Sequence, residues 1–343
     1  MNEAKLLKDG LKVLRNRLPQ GWKQETAFRR VRAPRQADAV LSITGPDGVK
    51  ALVSVEAKNR IFPRDVAQLK SGLGRYAAEP NLLVTRFLTP ATRRRLQEEE
   101  LNYLDVTGNI RLSLSRPGLY LETTGASEDP SPGEGSVRSL RGPKAGRLVR
   151  ALCDFPAPLT ITDIASKAGV DIGYASRLVQ LLARDGVLTR MPRGPVQAVD
   201  RGRLIRRWAE DYSVLKSNEA ASFLDPRGLG NLVRNLPGSR LRYAVTGSLA
   251  ANRVAPIAPA RLAMVYVDDE ETAATKLGLQ LAESGANVML LSPFDDVVFD
   301  RPSIDKGITF VAPSQAAVDL LTSPGRGPAE AEAILEVLGR QKA

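Results

Sequence analysis

Two stretches, QADAVLSI (36–43) and ALVSVEAK (51–58), decide how the first part of the chain folds. In both, branched apolar residues alternate with small or polar ones, a pattern typical of β-strands. Successive side chains of a strand point to opposite faces, so Glu56 and Lys58 share one face of the second strand. On the first strand, Asp38 lies on the same face as the other even-numbered residues. The pattern predicts two neighbouring core strands with polar residues on one side.

The turn TGPDG (44–48) lies between these strands and allows them to pair. Pairing would bring Asp38, Glu56 and Lys58 together on one side of the sheet. Two carboxylates and an ammonium group in one place make a site suited to a divalent cation and a phosphate. We therefore expect this hairpin to carry the chemistry of the first domain.

The composition is that of a globular protein, with 43% hydrophobic and 25% charged residues. A chain of 343 residues is long enough for two or three domains, each with its own core. There are 49 Lys and Arg against 38 Asp and Glu, giving a formal net charge of +11. This excess favours a polyanionic partner, although a generally basic proteome would produce the same balance.

Histidine is absent and Cys153 is the only cysteine. An intramolecular disulfide, a cysteine-based zinc site and His-dependent catalysis are therefore excluded. Catalysis is left to carboxylates, Lys, Arg, Ser, Tyr or a metal. The first ten residues are charged, unlike a signal peptide, and no apolar run approaches about 18 residues. We expect a cytoplasmic protein with no membrane span.

Hydrophobic periodicity predicts an α/β multidomain protein. In residues 1–124 we predict helices over 3–18, 63–76 and 90–101, and strands over 22–33, 36–43, 51–58, 81–88, 103–106 and 110–114. Residues 125–144 are rich in Gly, Ser and Pro and lack apolar periodicity, which indicates an interdomain linker. Residues 201–343 begin with a basic helical stretch and then alternate strands with helices, so we predict a second α/β domain there.

Residues 145–200 carry the pattern of a winged helix-turn-helix, and they resemble bacterial winged-helix regulators. Short helices are predicted over 146–154, 160–168 and 172–185, followed by a hairpin, the wing, over 188–199. The predicted DNA-binding residues are Tyr174, Ser176, Arg177, Gln180 and Arg184 on the third helix, with Arg190 and Arg193 on the wing. Arg and Gln suit base edges in the major groove, and the wing arginines suit phosphates. A winged helix that only holds protein partners remains an alternative.

Asp38, followed after seventeen residues by Glu56-Ala57-Lys58, resembles the motif of the PD-(D/E)xK nuclease superfamily. The resemblance covers residues 1 to about 122 and implies a restriction-endonuclease-like fold, although Ala37 stands where the family usually has Pro. It implies that Asp38 and Glu56 hold Mg²⁺ and that Lys58 helps position the attacking water. It also implies accessory roles for Glu25 and Gln68.

The chemistry of these residues agrees with that role, because Mg²⁺ prefers oxygen ligands and a nearby Lys adds positive charge where the transition state needs it. Two other interpretations stay open. Glu56 and Lys58 can simply share the solvated face of an ordinary sheet. Alternatively, a nuclease fold can be kept for DNA binding after cleavage has been lost.

From TGNIRL (107–112) through the winged helix to YAVTGSLAA (243–251), the chain resembles the abortive-infection type IV antitoxin family. In that family a winged helix binds the operator and the C-terminal α/β domain is similar to a nucleotidyltransferase fold. Gly247-Ser248 would open such a site, but the adjacent Asp268 and Asp269 would point to opposite faces of their strand. We expect a tight turn there rather than activity. The resemblance implies a cognate toxin as a partner.

Two functions follow from these patterns. The first is a Mg²⁺-dependent DNA endonuclease that a winged helix brings to double-stranded DNA. The second is a non-catalytic transcription regulator or antitoxin-like repressor, with an interaction scaffold in phage defence as a further class. Winged-helix regulators often bind paired half-sites, so we also expect a homodimer.

Overall fold

The computed structural model describes residues 3–28, 37–73, 80–131, 139–192, 194–254 and 259–340. The chain divides into two compact units. The first unit consists of Met1–Ser136 and Arg184–Gly186. The second unit consists of Val137–Ala183 and Val187–Ala343. Both contain helices and a β-sheet, so the predicted α/β multidomain class is confirmed. No helix in these six ranges is long and apolar enough to cross a membrane.

One mixed sheet organises the first unit. Its elements are α1 (Glu3–Arg15), β1 (Lys23–Phe28), β2 (Ala39–Thr44), β3 (Lys50–Lys58), a 3-10 helix (Pro63–Asp65), α2 (Val66–Leu73), β4 (Asn81–Thr85), α3 (Pro90–Glu98), β5 (Asn102–Asp105), β6 (Ile110–Leu114) and β7 (Leu119–Thr123). The seven strands of the described part lie in chain order across the sheet. β3, β4 and β5 are parallel neighbours, while the other neighbouring pairs are antiparallel.

The two faces of this sheet pack against different helices. Leucines of α1, among them Leu6 and Leu14, form one core with Val53 and Val55 of β3. Residues of α2 and α3 form a second core on Leu83 and its neighbours. The face that carries the even-numbered residues of β3 is therefore the one covered in part by α2 and α3.

The predicted elements of the first unit are present, with shorter bounds. The helix predicted to reach residue 18 ends at Arg15, and the strand predicted over 81–88 ends at Thr85. Strand β7 is not among the sequence predictions. It lies at the edge of the sheet and only its first residue, Leu119, is buried, so its apolar signal is weak.

The second unit contains a large sheet, helices and a two-stranded hairpin. Its elements are α4 (Pro143–Asp154), α5 (Ile161–Ala168), α6 (Ile172–Arg184), β8 (Leu188–Arg190), β9 (Val196–Val199), α7 (Arg201–Ala209), α8 (Val214–Ser217), β10 (Glu219–Leu224), α9 (Leu229–Asn235), β11 (Tyr243–Thr246), α10 (Gly247–Val254), β12 (Ala263–Val267), α11 (Glu270–Leu277), β13 (Gln280–Leu281), β14 (Val288–Ser292), a 3-10 helix (Asp296–Phe299), β15 (Ser303–Asp305), β16 (Ile308–Phe310), α12 (Pro313–Leu321) and α13 (Gly327–Arg340). As far as the structure describes them, the strands of the large sheet follow the order β13-β10-β14-β12-β11-β16-β15, and β8 pairs with β9.

A single hydrophobic core runs through this second unit. It joins Leu148 of α4 and Leu178 of α6 to Trp208 of α7 and Val245 of β11. The boundary predicted at residue 200 therefore falls inside one compact unit. Helices α4 to α7 and the large sheet share their packing, which no local sequence pattern indicates.

Arg150 of α4 reinforces this packing from a buried position, with 2% of its surface exposed. Its Nε lies 2.8 Å from Asp154 Oδ2, its Nη1 donates to Val297 O at 2.8 Å, and its Nη2 donates to Asp300 O at 2.7 Å. Nη1 also lies 3.2 Å from Gln315 Oε1. A buried charge is tolerated only with such complete pairing, so this cluster fixes α4 to the loops of the large sheet.

Candidate functional site

The hairpin of β2 and β3 positions the three predicted residues of the first unit. The strands pair antiparallel with Ala39 opposite Val55. The turn between them closes through Gly45 N, which donates to Val49 O at 2.9 Å. Because side chains alternate along β3, burying Val55 under α1 turns Glu56 and Lys58 to the other face.

Asp38, Glu56 and Lys58 meet at one end of this hairpin. Asp38 Oδ2 accepts a hydrogen bond from Ala57 N at 2.9 Å, which places the carboxylate against the backbone between the other two residues. Lys58 Nζ lies 2.6 Å from Glu56 Oε1. The Glu56 side chain is 11% exposed and that of Lys58 is 38% exposed, so Glu56 is nearly buried while Lys58 is partly open to solvent. The structure thus brings the three residues together.

The donor types in this group fit a magnesium ion. Mg²⁺ is commonly bound by one or two carboxylates, with water and substrate phosphate oxygens as its remaining ligands. Asp38 and Glu56 supply two carboxylates at the end of one hairpin. Across the residues that the structure describes, no group of three or more His, Cys, Asp or Glu side chains could hold a metal. A site at this position therefore depends on substrate and water for most of its ligands.

The two predicted accessory residues lie elsewhere on the first unit. Glu25 of β1 pairs with Ser42 of β2, on the face that carries Asp38 but four residues further along the strand. At 3.3 Å per residue this spacing is about 13 Å. Gln68 is an exposed residue of α2. Their accessory roles stay predictions.

Two arginines near this site were not predicted. Arg60 follows β3 and Arg86 follows β4, and both lie within ion-pairing distance of Asp129. The signal that could have identified them is their position, because the carboxyl ends of parallel strands meet at one edge of a sheet. The pairing with Asp129 had no signal in the local sequence.

Helix α6 presents part of the predicted DNA-binding set to solvent. Its first turn is capped by Asp171, whose Oδ1 accepts from Tyr174 N at 2.7 Å, and this hydrogen bond lowers the pKa of Asp171. One side of the helix is buried through Ala175, Leu178, Val179 and Leu182. Ser176, Arg177 and Gln180 are exposed, as a surface that reads DNA requires.

The remaining members of the set are less exposed. Tyr174 is half-buried and packs against the core of the second unit, and this burial raises its pKa. It is therefore in part a packing residue and does not stand fully outward as predicted. Arg184 is half-buried at the end of α6, and Arg190 is half-buried at the end of β8. Arg193 lies outside the described residues.

The strand-to-helix turn at Gly247 agrees with the expectation of a structural role. Gly247 has φ of +66°, the left-handed region that favours glycine. Ser248 Oγ lies 2.6 Å from Glu330 Oε2, a buried carboxylate of α13. Asp269 caps α11 by accepting from Thr272 N at 2.7 Å, and Asp268 lies 3.3 Å from a guanidinium nitrogen of Arg242. These side chains stabilise their own surroundings.

No protein-family model, curated protein or solved structure matches this chain. The fold is that of an α/β protein of two compact units.

Proposed function

We propose that this protein binds double-stranded DNA and that its first unit hydrolyses phosphodiesters with Mg²⁺. The observation that carries the proposal is the meeting of Asp38, Glu56 and Lys58, through the 2.9 Å hydrogen bond at Ala57 N and the 2.6 Å contact between Lys58 and Glu56. The exposed Arg177 and Gln180 of α6 support the DNA-binding part, because these residue types suit base edges.

In this proposal Asp38 and Glu56 hold the ion, and Lys58 places a positive charge beside the scissile phosphate. When bound, Mg²⁺ would lower the pKa of an attacking water and neutralise charge that develops on the phosphate. The partial exposure of Lys58 leaves room for a phosphate to approach its ammonium group. Since Lys58 is already next to Glu56, the substrate would share this ammonium with the carboxylate.

Cleavage of supercoiled plasmid in the presence of Mg²⁺ tests this proposal. We expect Lys58→Ala, Asp38→Asn and Glu56→Gln each to lower the rate about 100-fold or more, and a chelator to abolish it. Lys50→Ala is the matched control, because Lys50 is an exposed lysine at the other end of the same strand. Equal cleavage by the Lys58→Ala protein and the parent would refute the catalytic role.

The second candidate function is a non-catalytic regulator or antitoxin-like repressor. The exposed side of α6 favours this function, because a helix can bind DNA without any catalytic site in the protein. DNA footprinting on the protein's own promoter, read together with the plasmid cleavage assay, separates the two, because a repressor gives a footprint without cleavage. A repressor gives a footprint that Lys58→Ala leaves intact, whereas Arg177→Ala weakens discrimination by about 1–3 kcal/mol. A footprint unchanged by Arg177→Ala, with unchanged salt dependence, would contradict DNA reading by α6.

A further inference from the structure

The segment that follows β7 turns back onto the sheet of the first unit. Gly125 N donates to Asn109 Oδ1 at 2.9 Å, and Asn109 Nδ2 donates to Ala126 O at 3.0 Å. Ala126 N donates to Thr107 Oγ1 at 3.2 Å. A Cβ atom on Gly125 would lie 2.3 Å from Thr107 O, so only glycine fits this close approach. Gly125 and Ala126, the first residues of the predicted linker, are therefore fixed to the turn between β5 and β6.

This segment carries Asp129 onto two arginines. Asp129 Oδ2 lies 2.5 Å from Arg86 Nη2 and 3.6 Å from Arg60 Nη2. Arg86 Nη1 also donates to Ser131 O at 2.8 Å. The three charged side chains carry a net charge of +1, since one carboxylate serves two guanidinium groups. The exposed fraction of the side chain is 50% for Arg60, 25% for Arg86 and 18% for Asp129, so solvent reaches this cluster.

Arg60 and Arg86 lie at the same edge of the sheet as the candidate site. β3 and β4 are parallel, with Lys58 opposite Thr85. Arg86 is the residue after Thr85, and Arg60 is two residues after Lys58. With about 4.8 Å between strands and 3.3 Å per residue, the backbone at Arg86 is about 6 Å from that at Lys58. The backbone of both arginines therefore lies close to the backbone of Lys58 at this edge.

Guanidinium groups bind carboxylates and phosphates through the same fork of donors. A carboxylate held by two arginines from neighbouring strands therefore marks a position that a phosphate group suits equally well. We propose that Arg60 and Arg86 form a binding site for a backbone phosphate of nucleic acid, and that Asp129 occupies this site as a tethered competitor. Binding of the substrate displaces Asp129, so the segment after β7 restrains access to the edge of the sheet.

This inference deepens the proposed function, on which its link with cleavage rests, but phosphate binding can be measured without cleavage. The test uses the full chain and a fluorescein-labelled 20-base-pair duplex, followed by fluorescence anisotropy in the presence of a chelator. All proteins carry Arg177→Ala to reduce the contribution of α6. In this background we compare Asp129→Asn with Glu128→Gln. Glu128 is the exposed neighbour of Asp129, so its variant removes the same charge one residue away.

Asn suits the test because Asp129 Oδ1 accepts a hydrogen bond from Ser131 N at 3.0 Å, which an amide oxygen keeps. We expect Asp129→Asn to bind the duplex about fivefold more tightly, while Glu128→Gln changes the affinity less than about twofold. The dependence of log K on log salt should steepen by about 0.9 for the added phosphate contact. Adding Arg86→Ala to Asp129→Asn should return the affinity to within about twofold of the parent.

Equal effects of Asp129→Asn and Glu128→Gln would overturn the inference, because they would show only a general change of charge. A gain that survives Arg86→Ala would also overturn it. If the Asn variant fails to fold by circular dichroism, Asp129→Ala replaces it with the same expectations. If Asp129→Asn gains affinity but the protein cleaves no plasmid, the result supports the phosphate site and contradicts the catalytic proposal. If the protein cleaves plasmid but Asp129→Asn gains no affinity, the result supports the catalytic proposal and contradicts the phosphate site.

Discussion

Replacing Asp319 by Asn should remove a pH dependence of stability that this buried carboxylate gives to the second unit. Asp319 lies in α12 with no exposed surface. Its oxygens accept hydrogen bonds from Thr246 Oγ1 at 2.7 Å, Tyr212 OH at 2.8 Å, Gln315 Nε2 at 2.9 Å and Tyr266 OH at 3.1 Å. Burial raises the pKa of Asp319 to about 6, although these hydrogen bonds act in the opposite direction.

The direction of the effect follows from proton binding. Between about pH 4 and pH 6, native Asp319 holds a proton that the unfolded chain has released. Its contribution to stability is therefore complete below about pH 4 and is lost as the pH rises to about 6. A shift of about two pKa units corresponds to about 3 kcal/mol.

The chain offers a fluorescent reporter for this measurement. Trp22 and Trp208 are its two tryptophans, so Trp22→Phe leaves Trp208 alone. Trp208 is 1% exposed and its ring centroid lies 5.1 Å from that of Tyr212, a direct partner of Asp319. Urea unfolding of Trp22→Phe, with and without Asp319→Asn, is followed from pH 4 to pH 7.5.

We expect the difference in free energy of unfolding between these two proteins to fall by about 2 kcal/mol from pH 4 to pH 6.5, which is most of the total, because the unfolded carboxyl is still partly protonated at pH 4. The test uses only the change of this difference with pH, because the Asn substitution also alters the hydrogen bonds of residue 319 at every pH. Glu219→Gln, which removes an exposed carboxylate of β10, is the control and should leave the difference flat. A difference for Asp319→Asn that stays constant within about 1 kcal/mol would refute the reasoning.

Three further outcomes follow from packing. Arg150→Ala should lower the free energy of unfolding of the second unit by about 3–5 kcal/mol, because Asp154 stays buried without its partner, and urea titration of the Trp22→Phe protein measures this loss. Gly125→Ala should release the segment after β7 by its clash with Thr107 O, so protease cleavage within residues 126–131 should become faster than in the Gly118→Ala control. Cys153 is buried and its pKa is raised by burial, so the native thiol should react with a disulfide reagent about 100-fold more slowly than the thiol in urea; equal rates would contradict its burial.

Local sequence patterns were sufficient to predict those elements whose structure is decided by residues close together in the sequence. The β2–β3 hairpin is such a part, because its turn and its alternation are both contained within about twenty residues. The same holds for α5, which begins with a capping box formed by Thr160 and Asp163, three residues apart in the sequence. Asp38, Glu56 and Lys58 could be predicted to meet because the register of one hairpin decides their positions.

Contacts between distant segments were not predictable in this way. Asp129 reaches an arginine 43 residues earlier, within a stretch whose composition indicates only a linker. Arg150 would be expected on the surface of its helix, yet it is buried because acceptors at Val297 and Asp300 come from loops nearly 150 residues away. Whether a charged side chain is buried therefore depends on hydrogen-bond and ion-pair partners that can be distant in the sequence.

The buried position of Arg150 also limits how the second unit can move. Arg150 bonds α4 to Val297 and Asp300, and α4 shares one core with α6, so α6 is packed into the same unit as the large sheet. If two copies pair through the large sheet, the distance between their two α6 helices is then set by that pairing alone. If the proposed DNA binding holds, such a dimer would accept half-sites at one spacing and reject others.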